Sequence, residues 1–488
     1  MKRYIPLAIW IVVVSVIVFI PLKIIGLGFL PMDDALRHAA KTISGKPWQD
    51  ILVMRGDFPI DPSPGWQKIL DWIHAMHPGD AQSLVTFSVV ALMLLVLLCG
   101  VPWFRRPEAW LAALFIAAVF IPACTTRFAR GRPYILTDAV VITLLFLWTR
   151  RGTQRQPSPL YVTPLLVAAS AWIHGSWYML VLPGVAILFA GLWREAILYG
   201  VCWLLGSVLG CALTGHPIGF LIQSVRHMFG VFGDYTVPRQ LEPELHPSDG
   251  AVPAVLAVAA LLLWRKMTIG WNPRVLLSPV FMMMALGWLL GLKMQRFWWD
   301  YGAPAFIIWV ALELQEHLEQ HLIFDSLKRL FIVLAIAAGA YLGFTSDRDG
   351  RWTQNLTTEF LNARGNPSLQ AWMPGPGGIV YNSDMDVFFD TFYANPTADW
   401  KYVLGFESGW MRPDDLKVYR DSQWNFGDVR AFLPWVREMR SQDRMIIHAP
   451  GSSPPNIPQL QWNYAATEMW IGRLPPPGTN PATLSPQK

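Results

Sequence analysis

The sequence predicts a polytopic α-helical membrane protein that ends in an exterior α+β domain. Three observations support this prediction. Of the 488 residues, 53% are hydrophobic and only 15% are charged, and the mean hydropathy of +0.33 is too high for a soluble enzyme of this length. About eleven apolar stretches precede residue 345, most of them near the roughly 20 residues that cross a bilayer as a helix. After Thr345 the hydropathy falls and a mixed pattern of short strands and helices begins.

The apolar stretches are the predicted transmembrane helices. The first begins with Lys2 and Arg3, is longer than a signal-peptide core and ends in Pro31 without a small-residue cleavage site, so we expect an uncleaved anchor. If the spans alternate, Lys and Arg of the short loops fall on one side, and the positive-inside rule makes that side the cytoplasm. The stretches lie near residues 4–28, 82–104, 109–125, 133–149, 160–176, 178–193, 196–214, 251–265, 275–293, 302–314 and 328–344.

This topology places several polar segments outside. They are the loop 28–82, the link 126–133, the loop 215–250 and everything after Thr345. The first loop contains two amphipathic pieces, 34–43 and 65–76, which we expect to be helices on the membrane surface. The short link is unusual because it carries three arginines on the exterior face, where positive charge is disfavoured. Attraction to an anionic group would explain them.

The chain is therefore predicted to form two domains and a tail. Residues 1–344, including the loop 28–82, form the membrane domain, and residues 345–474 form an exterior α+β domain large enough for its own core. Residues 475–488 are rich in Pro, Thr and Ser and are expected to be disordered. In the α+β domain the pattern predicts strands at 378–381, 402–406 and Arg444–His448, and an amphipathic helix at 428–439.

Composition and motifs exclude several classes of protein. The four cysteines lie in apolar runs without metal-ligand spacing, so neither a disulfide framework nor a zinc site is predicted. The net charge of +5 comes from the membrane domain, since 26 basic and 19 acidic residues precede Thr345 whereas 13 and 15 follow from there. It reflects loop orientation and not nucleic-acid binding. The chain contains no P-loop, nucleophile-elbow or zincin motif.

Asp33 and Asp34 directly follow the first span and open a stretch of helix-forming residues. Acids at a helix start suit the helix dipole, so both residues could be ordinary caps. Their place in a membrane-surface loop, beside lipid headgroups, favours a general base instead. Two adjacent acids are also compatible with a divalent cation, but they do not specify one. No metal ligand set and no other cofactor is predicted.

Four arginines predicted at the outer membrane surface are candidate phosphate ligands. Arg127, Arg130, Arg132 and Arg296 can each make bidentate contacts with a phosphate group. Snorkelling to lipid headgroups is the simpler explanation for any single one. Arg296 is the most promising, because it interrupts the apolar and aromatic run 289–299.

Asp138 lies at the predicted exterior start of a span, where an unpaired charge is costly and usually functional. It could cap its helix by accepting backbone hydrogen bonds. It could equally hold Arg130 or Arg132 in place through charge-assisted hydrogen bonds.

Second-rank candidates come from three other segments. Arg37 follows the acidic pair, and His174 is either a residue that hydrogen bonds between helices or part of a site. The polar, proline-rich loop 234–247 is a connector by default, and it offers Arg239 and His246.

Three motifs, together with the acidic pair and the order of the spans, resemble the GT-C class of membrane glycosyltransferases. The likeness is greatest to the branch that contains protein O-mannosyltransferases and lipid A aminoarabinose transferase. That branch has an Arg before an Asp-Ala or Asp-Ser at its fourth span, a Thr-Lys-Gly stretch before a proline, and a late Arg-Tyr-x-x-Pro segment. The corresponding segments are 132–141, 171–175 with Pro183, and 295–304. The sequence departs from the pattern at Asp34, where Glu is commoner, and at His174, where Lys is usual.

The resemblance implies a glycosyltransferase that moves a sugar from a polyprenyl-phosphate-linked donor to an acceptor hydroxyl on the exterior face, with inversion of configuration. Asp33 would take the proton of the acceptor, while Asp34 and Asp138 would orient the site. Arg296 would stabilise the departing phosphate. The implied ligands of the donor phosphate are Arg130, Arg132, Arg239 and Arg296.

The expected partners are the bilayer, the lipid-linked donor and a lipid, glycan or protein acceptor. Short loops and an uncleaved anchor are typical of the bacterial inner membrane, which would place the C-terminal domain in the periplasm. A transporter or flippase for a lipid-linked glycan, or a non-catalytic subunit of a polysaccharide assembly complex, are the alternatives. Transporters usually place ionisable groups near mid-membrane and often contain repeated halves, and the sequence has neither pattern.

Overall fold

The computed structural model describes residues 4–57, 60–149, 158–233, 243–321, 326–363, 365–425, 428–449, 453–466 and 468–476. In these ranges the first three quarters of the chain are mainly helical, and a small sheet follows. The helices before residue 240 are α1 (Ile5–Gly26), α2 (Asp34–Ser44), α3 (Trp48–Ile51), α4 (Pro64–Met76), α5 (Ala81–Leu98), α6 (Pro107–Phe120), α7 (Pro122–Ala129), α8 (Tyr134–Thr149), α9 (Pro159–His174), α10 (Leu182–Phe189), α11 (Trp193–Ala212) and α12 (Pro217–Gly233).

The later elements complete the helical part and form a sheet. The remaining helices are α13 (Val252–Thr268), α14 (Pro279–Gly291), α15 (Gln295–Phe297), α16 (Ala303–His321), α17 (Leu327–Thr345), α18 (Pro367–Gln370), α19 (Met385–Ala394), α20 (Pro413–Trp424) and α21 (Leu433–Glu438). The strands are β1 (Gly378–Asn382), β2 (Trp400–Tyr402), β3 (Arg444–His448), β4 (Gln461–Ala466) and β5 (Met469–Arg473). A π-helical turn, Trp298–Gly302, joins α15 to α16.

Every predicted apolar stretch coincides with helix. Among the described residues, four helical segments are long and apolar enough to cross a membrane, namely Ile5–Gly26, Ala81–Trp103, Trp193–Ala212 and Leu327–Thr345. The bent pair α6 and α7 makes a fifth if it counts as one span. Most of the other predicted spans are shorter apolar helices, so the total of about eleven remains a prediction.

The predicted span 109–125 is not one straight helix. Helix α6 ends at Phe120, and α7 leaves it at an angle of 106°. Pro122 begins α7, and Ile121 before it has φ −135° and ψ 66°, outside the helical region. A proline disfavours helical backbone in the preceding residue, which accounts for the break. The bend directs α7 and the following link towards the polar cavity described below.

The sheet has the strand order β2–β1–β3–β5–β4. Strand β1 is parallel to β2 and β3, whereas β5 is antiparallel to both β3 and β4. Two predictions in this region need correction. The strand expected at 402–406 is β2, which ends at Tyr402, and the helix expected at 428–439 is a 3₁₀ turn, Val429–Phe432, followed by α21. Strands β4 and β5 were not predicted.

The loop 28–82 packs against this sheet domain. Residues 52–55 extend the sheet edge through two isolated bridges, a parallel one between Leu52 and Tyr402 and an antiparallel one between Met54 and Met411. Apolar side chains of α2 and α3 belong to the same core cluster as those of α19. The terminal domain therefore shares its core with the loop that carries the acidic pair.

A buried ion pair braces the helical bundle away from this region. Arg329 of α17 makes a bidentate contact with Glu108 of α6, with Nε–Oε1 at 2.6 Å and Nη2–Oε2 at 2.9 Å. Both side chains are at most 1% exposed. Because a buried charge is costly without a partner, this pair fixes how α17 packs on α6.

Candidate active site

One cavity of about 1100 Å³ lies between the helical bundle and the sheet domain. Its walls come from the start of α2, the link before α8, the end of α9, α12, the π-helical turn and the loops around α19. Eight residues singled out from the sequence line it together: Asp33, Asp34, Arg37, Arg130, Arg132, Asp138, His174 and Arg296. Tertiary packing thus gathers residues that are up to 263 positions apart in the chain.

Asp33 occupies the N-cap position of α2, yet its side chain makes no capping hydrogen bond. Its Oδ2 atom lies 3.0 Å from Nε of Arg132 and 3.8 Å from Nε of Arg130. Its Oδ1 atom is buried and has no hydrogen-bond partner among the described residues. The carboxylate is therefore held at one oxygen, and the other oxygen is available to accept a proton.

Asp34 is bound differently, although it is the next residue. It accepts a hydrogen bond of 2.6 Å from Nε of Arg37, and Arg132 lies 3.8 Å away. Burial alone would raise the pKa of Asp34, but Arg37 and Arg132 outweigh it and hold this pKa well below the usual range. Arg37 is itself buried and packs over the ring of Phe406 at 3.9 Å. The Asp34–Arg37 ion pair is therefore better suited to supporting the loop than to exchanging protons.

The link between α7 and α8 turns at Gly131, which has a φ of +65°. A Cβ atom there would lie 3.1 Å from Val89 and 3.3 Å from Cβ of Ala35, so both the backbone conformation and the space favour glycine. The turn sets Arg130 and Arg132 on either side and brings both within reach of Asp33.

A second ion-pair network contains Arg296 and two acids that sequence reasoning did not select, Glu244 and Asp300. Arg296 contacts Glu244 at 3.3 Å and Asp300 at 3.2 Å. Arg127, which is 3% exposed, contacts the same two acids. Its Nη1 atom lies 2.9 Å from Oε2 of Glu244, and its Nε atom lies 2.6 Å from Oδ1 of Asp300. Arg132 joins the network at 3.6 Å from Glu244. A signal for Asp300 existed, because it follows Arg296 by four residues on a helical segment.

Asp138 does not cap a helix, which rules out one of its two alternative interpretations. Helix α8 already begins at Tyr134, so Asp138 lies in its second turn. The residue is fully buried, and in the part of the chain that the structure describes neither carboxylate oxygen has a hydrogen-bond partner. It does not hold Arg130 or Arg132, since Asp33 contacts them instead.

The remaining candidates are placed less centrally. His174 ends α9 beside the ring of Tyr134, with ring centroids 6.1 Å apart, and its Nδ1 atom is buried without a partner. The backbone carbonyl of His246 accepts a hydrogen bond of 2.7 Å from the amide of Gln295, and its side chain does not line the cavity. Arg239 lies outside the described residues.

The terminal domain contributes a wall to the cavity that sequence reasoning missed. Asp384 and Asp386 line it at the start of α19, and Glu407 lines it next to Phe406. Glu407 also contacts Nε2 of His227 in α12 at 2.9 Å. Among the described residues, no group of three or more His, Cys, Asp or Glu side chains is arranged to hold a metal ion.

The fold is that of a known membrane enzyme. The chain aligns with the crystal structure of ArnT from Cupriavidus metallidurans bound to undecaprenyl phosphate at a TM-score of 0.56 and 14% identity, covering 96% of this chain and 97% of that one. ArnT is an aminoarabinose transferase with the GT-C glycosyltransferase fold. The resemblance predicted from the sequence motifs is therefore confirmed at the level of the fold.

Two structures from Archaeoglobus fulgidus align less well. One is an oligosaccharyltransferase tethered to an acceptor peptide with an NVT sequon; it aligns at a TM-score of 0.47 and 11% identity, covering 89% of this chain and 68% of that one. The other is the oligosaccharyltransferase AglB in complex with an inhibitory peptide and a dolichol-phosphate; it aligns at a TM-score of 0.45 and 11% identity, covering 89% of this chain and 69% of that one. No protein-family model and no curated protein matches the sequence.

Proposed function

We propose that this protein is a membrane glycosyltransferase that moves a sugar from a polyprenyl-phosphate-linked donor to an acceptor hydroxyl. One observation carries the proposal. The carboxylate of Asp33, with one oxygen held by Arg132 and the other buried without a partner, lines the same cavity as the partly exposed guanidinium of Arg296. The shared fold with ArnT, whose structure contains undecaprenyl phosphate, supports a lipid phosphate as the leaving group.

The chemistry is a direct displacement with inversion. Asp33 Oδ1 takes the proton of the acceptor hydroxyl while the oxygen of that hydroxyl forms a bond to the anomeric carbon. The bond between the anomeric carbon and the phosphate oxygen breaks at the same time, and the lipid phosphate departs with the electron pair. Arg132 keeps the Asp33 carboxylate oriented, and its contact with Asp34 ties both acids to the turn at Gly131.

The donor phosphate binds at the arginines of the cavity. Arg296 is 33% exposed, so its planar fork can contact a phosphate oxygen while Asp300 holds its Nε atom. Arg130 is 40% exposed and faces the same space. These cations offset the charge that develops on the departing phosphate. Arg239 stays a proposed ligand on sequence grounds alone.

Asp138 has a distinct role in this scheme. It is a fully buried acid of the cavity wall, and its oxygens have no hydrogen-bond partner among the described residues. Hydroxyl groups of the donor sugar are suitable hydrogen-bonding groups for it, because a buried polar atom without a partner is costly. Asp138 therefore orients the sugar.

The decisive experiment is sugar transfer by the purified full-length protein. Polyprenyl-phosphate sugars are supplied as donors with candidate lipid, glycan and protein acceptors, and the anomeric configuration of the product is determined by NMR. Product with inverted configuration supports the scheme, whereas retained configuration contradicts direct displacement. Transport of the donor across a vesicle membrane without transfer would favour a flippase.

Orientation is tested separately. We propose a bacterial inner-membrane protein whose acidic pair and terminal domain face the periplasm. A reporter fused after Arg151 should be cytoplasmic, and one fused after Gly350 should be periplasmic. Reporters on the same side would contradict the proposed orientation.

A further inference from the structure

Glu244 lies at the centre of an arginine cluster. It belongs to the 3₁₀ turn Pro243–Leu245, and its carboxylate contacts Nη1 of Arg127 at 2.9 Å, Nη1 of Arg296 at 3.3 Å and Nη1 of Arg132 at 3.6 Å. The three arginines come from α7, the link before α8 and α15. The Glu244 side chain is only 12% exposed. Three guanidiniums from three segments therefore converge on one carboxylate.

This arrangement is suited to a phosphate as much as to a carboxylate. Guanidinium forks make bidentate contacts with both anions, and both present oxygens at similar hydrogen-bonding distances. Arg296 is the most exposed member at 33%, so the cluster is open to the cavity on that side. The three arginines outweigh burial and hold the pKa of Glu244 well below its usual range, so the residue is an anion at neutral pH.

The net charge of the ion pairs around Glu244 bears on what its displacement by a phosphate would cost. Among the described residues, five guanidiniums (Arg37, Arg127, Arg130, Arg132 and Arg296) and four carboxylates (Asp33, Asp34, Glu244 and Asp300) are linked by these contacts. A sugar phosphodiester carries one negative charge, so its exchange for Glu244 leaves the net charge of the cluster unchanged. The exchange therefore leaves none of these arginines without an anion, which would be costly for a buried cation.

We infer that Glu244 is a built-in competitor of the lipid phosphate, which must displace it from Arg132 and Arg296 to bind. The identity of the anion rests on the proposed function; the competition itself does not require sugar transfer. Glu244 lowers the affinity of the cavity for the phosphate of donor and product alike. Its return to the arginines after transfer assists the departure of the lipid phosphate.

Binding of a short prenyl phosphate tests this inference. Farnesyl phosphate is titrated into the purified full-length protein by calorimetry, with farnesol as the probe for the lipid tail alone. We expect Glu244→Gln to bind farnesyl phosphate about tenfold more tightly than the parent, a shift of about 1.4 kcal/mol, with farnesol binding unchanged. Glu244→Asp, which keeps the charge on a shorter side chain, should shift the affinity in the same direction by less.

A matched control is Glu313→Gln. Glu313 is a buried acid on α16 that contacts Arg265 at 2.7 Å and does not line the cavity, so its replacement should leave farnesyl phosphate binding unchanged. Equal or weaker binding by Glu244→Gln overturns the inference, as does absence of binding in every variant. An equal gain for farnesol also overturns it, and so does failure of both Glu244 variants to fold.

The two proposals fail in distinguishable ways. If the protein transfers no sugar but Glu244→Gln still tightens farnesyl phosphate binding, the proposed function falls and the competitor role stands. If transfer occurs and the affinity does not change, only the competitor role falls.

Discussion

The replacement Asp33→Asn removes a proton acceptor and preserves the size of the side chain. Asparagine caps a helix about as well as aspartate, and Asp33 makes no side-chain capping bond in any case, so the start of α2 should be unaffected. The change does weaken the 3.0 Å ion pair with Arg132, in which the two side chains are 13% and 17% exposed. For a partly exposed pair we expect a loss of unfolding free energy of about 1–2 kcal/mol.

The effect on catalysis should be larger. A general base typically contributes about a hundredfold to ten-thousandfold in rate, and at about 1.36 kcal/mol per decade this is about 2.7–5.4 kcal/mol of barrier. The buried, unpartnered Oδ1 atom is the structural basis for expecting the full effect, because no neighbouring group occupies it. Donor binding should change little, since Arg296 and the other arginines remain.

The assay measures single-turnover transfer, donor affinity and the unfolding temperature on the same preparations. Asp34→Asn is the matched control, because it changes the adjacent carboxylate, which already accepts a hydrogen bond from Arg37. It should cause a smaller rate loss or a loss of stability. If Asp33→Asn transfers sugar at the parental rate, or if its rate loss only follows its loss of folded protein, Asp33 is not the base.

Three further replacements address other parts of the structure. Arg296→Lys keeps the charge but loses the planar fork, so the rate of sugar transfer should fall at least about tenfold while the amount of protein inserted in the membrane stays the same. An unchanged rate would indicate that Arg296 only anchors the chain to lipid headgroups. Glu108→Gln removes the negative charge that the buried guanidinium of Arg329 faces and should cost about 3–5 kcal/mol of unfolding free energy. A parental unfolding temperature in detergent would contradict this. Burial, with help from Asp386, raises the pKa of Asp390 in α19 to about 7 from the 3.8 of an unperturbed carboxyl. The stabilising contribution of Asp390 is therefore lost as the pH rises towards 7. The thermal stability of Asp390→Asn relative to the parent should increase between pH 4 and 7, with no further increase above pH 7. A difference in stability that does not depend on pH would refute this.

Local patterns identified much of the fold. Apolar length located the helices of the bundle, and periodicity located α2 and α4 in the loop 28–82. Strand β3 was predicted with its observed bounds, because its apolar run is short and flanked by polar residues. The bend between α6 and α7 was missed, although Pro122 signalled it, because hydropathy does not register backbone direction.

The sequence by itself identified the candidate residues: an acidic pair after the first predicted span, arginines in segments that link the predicted spans and an acid near the start of α8. Only the tertiary structure decided how they pair. It assigned Arg130 and Arg132 to Asp33 and left Asp138 without a partner. It also brought Glu244 to three arginines, the nearest of them 52 positions away in the chain. Propensity and periodicity act over a few residues, whereas an ion pair forms between whichever charges packing brings within about 4 Å, so its partners are decided by the fold.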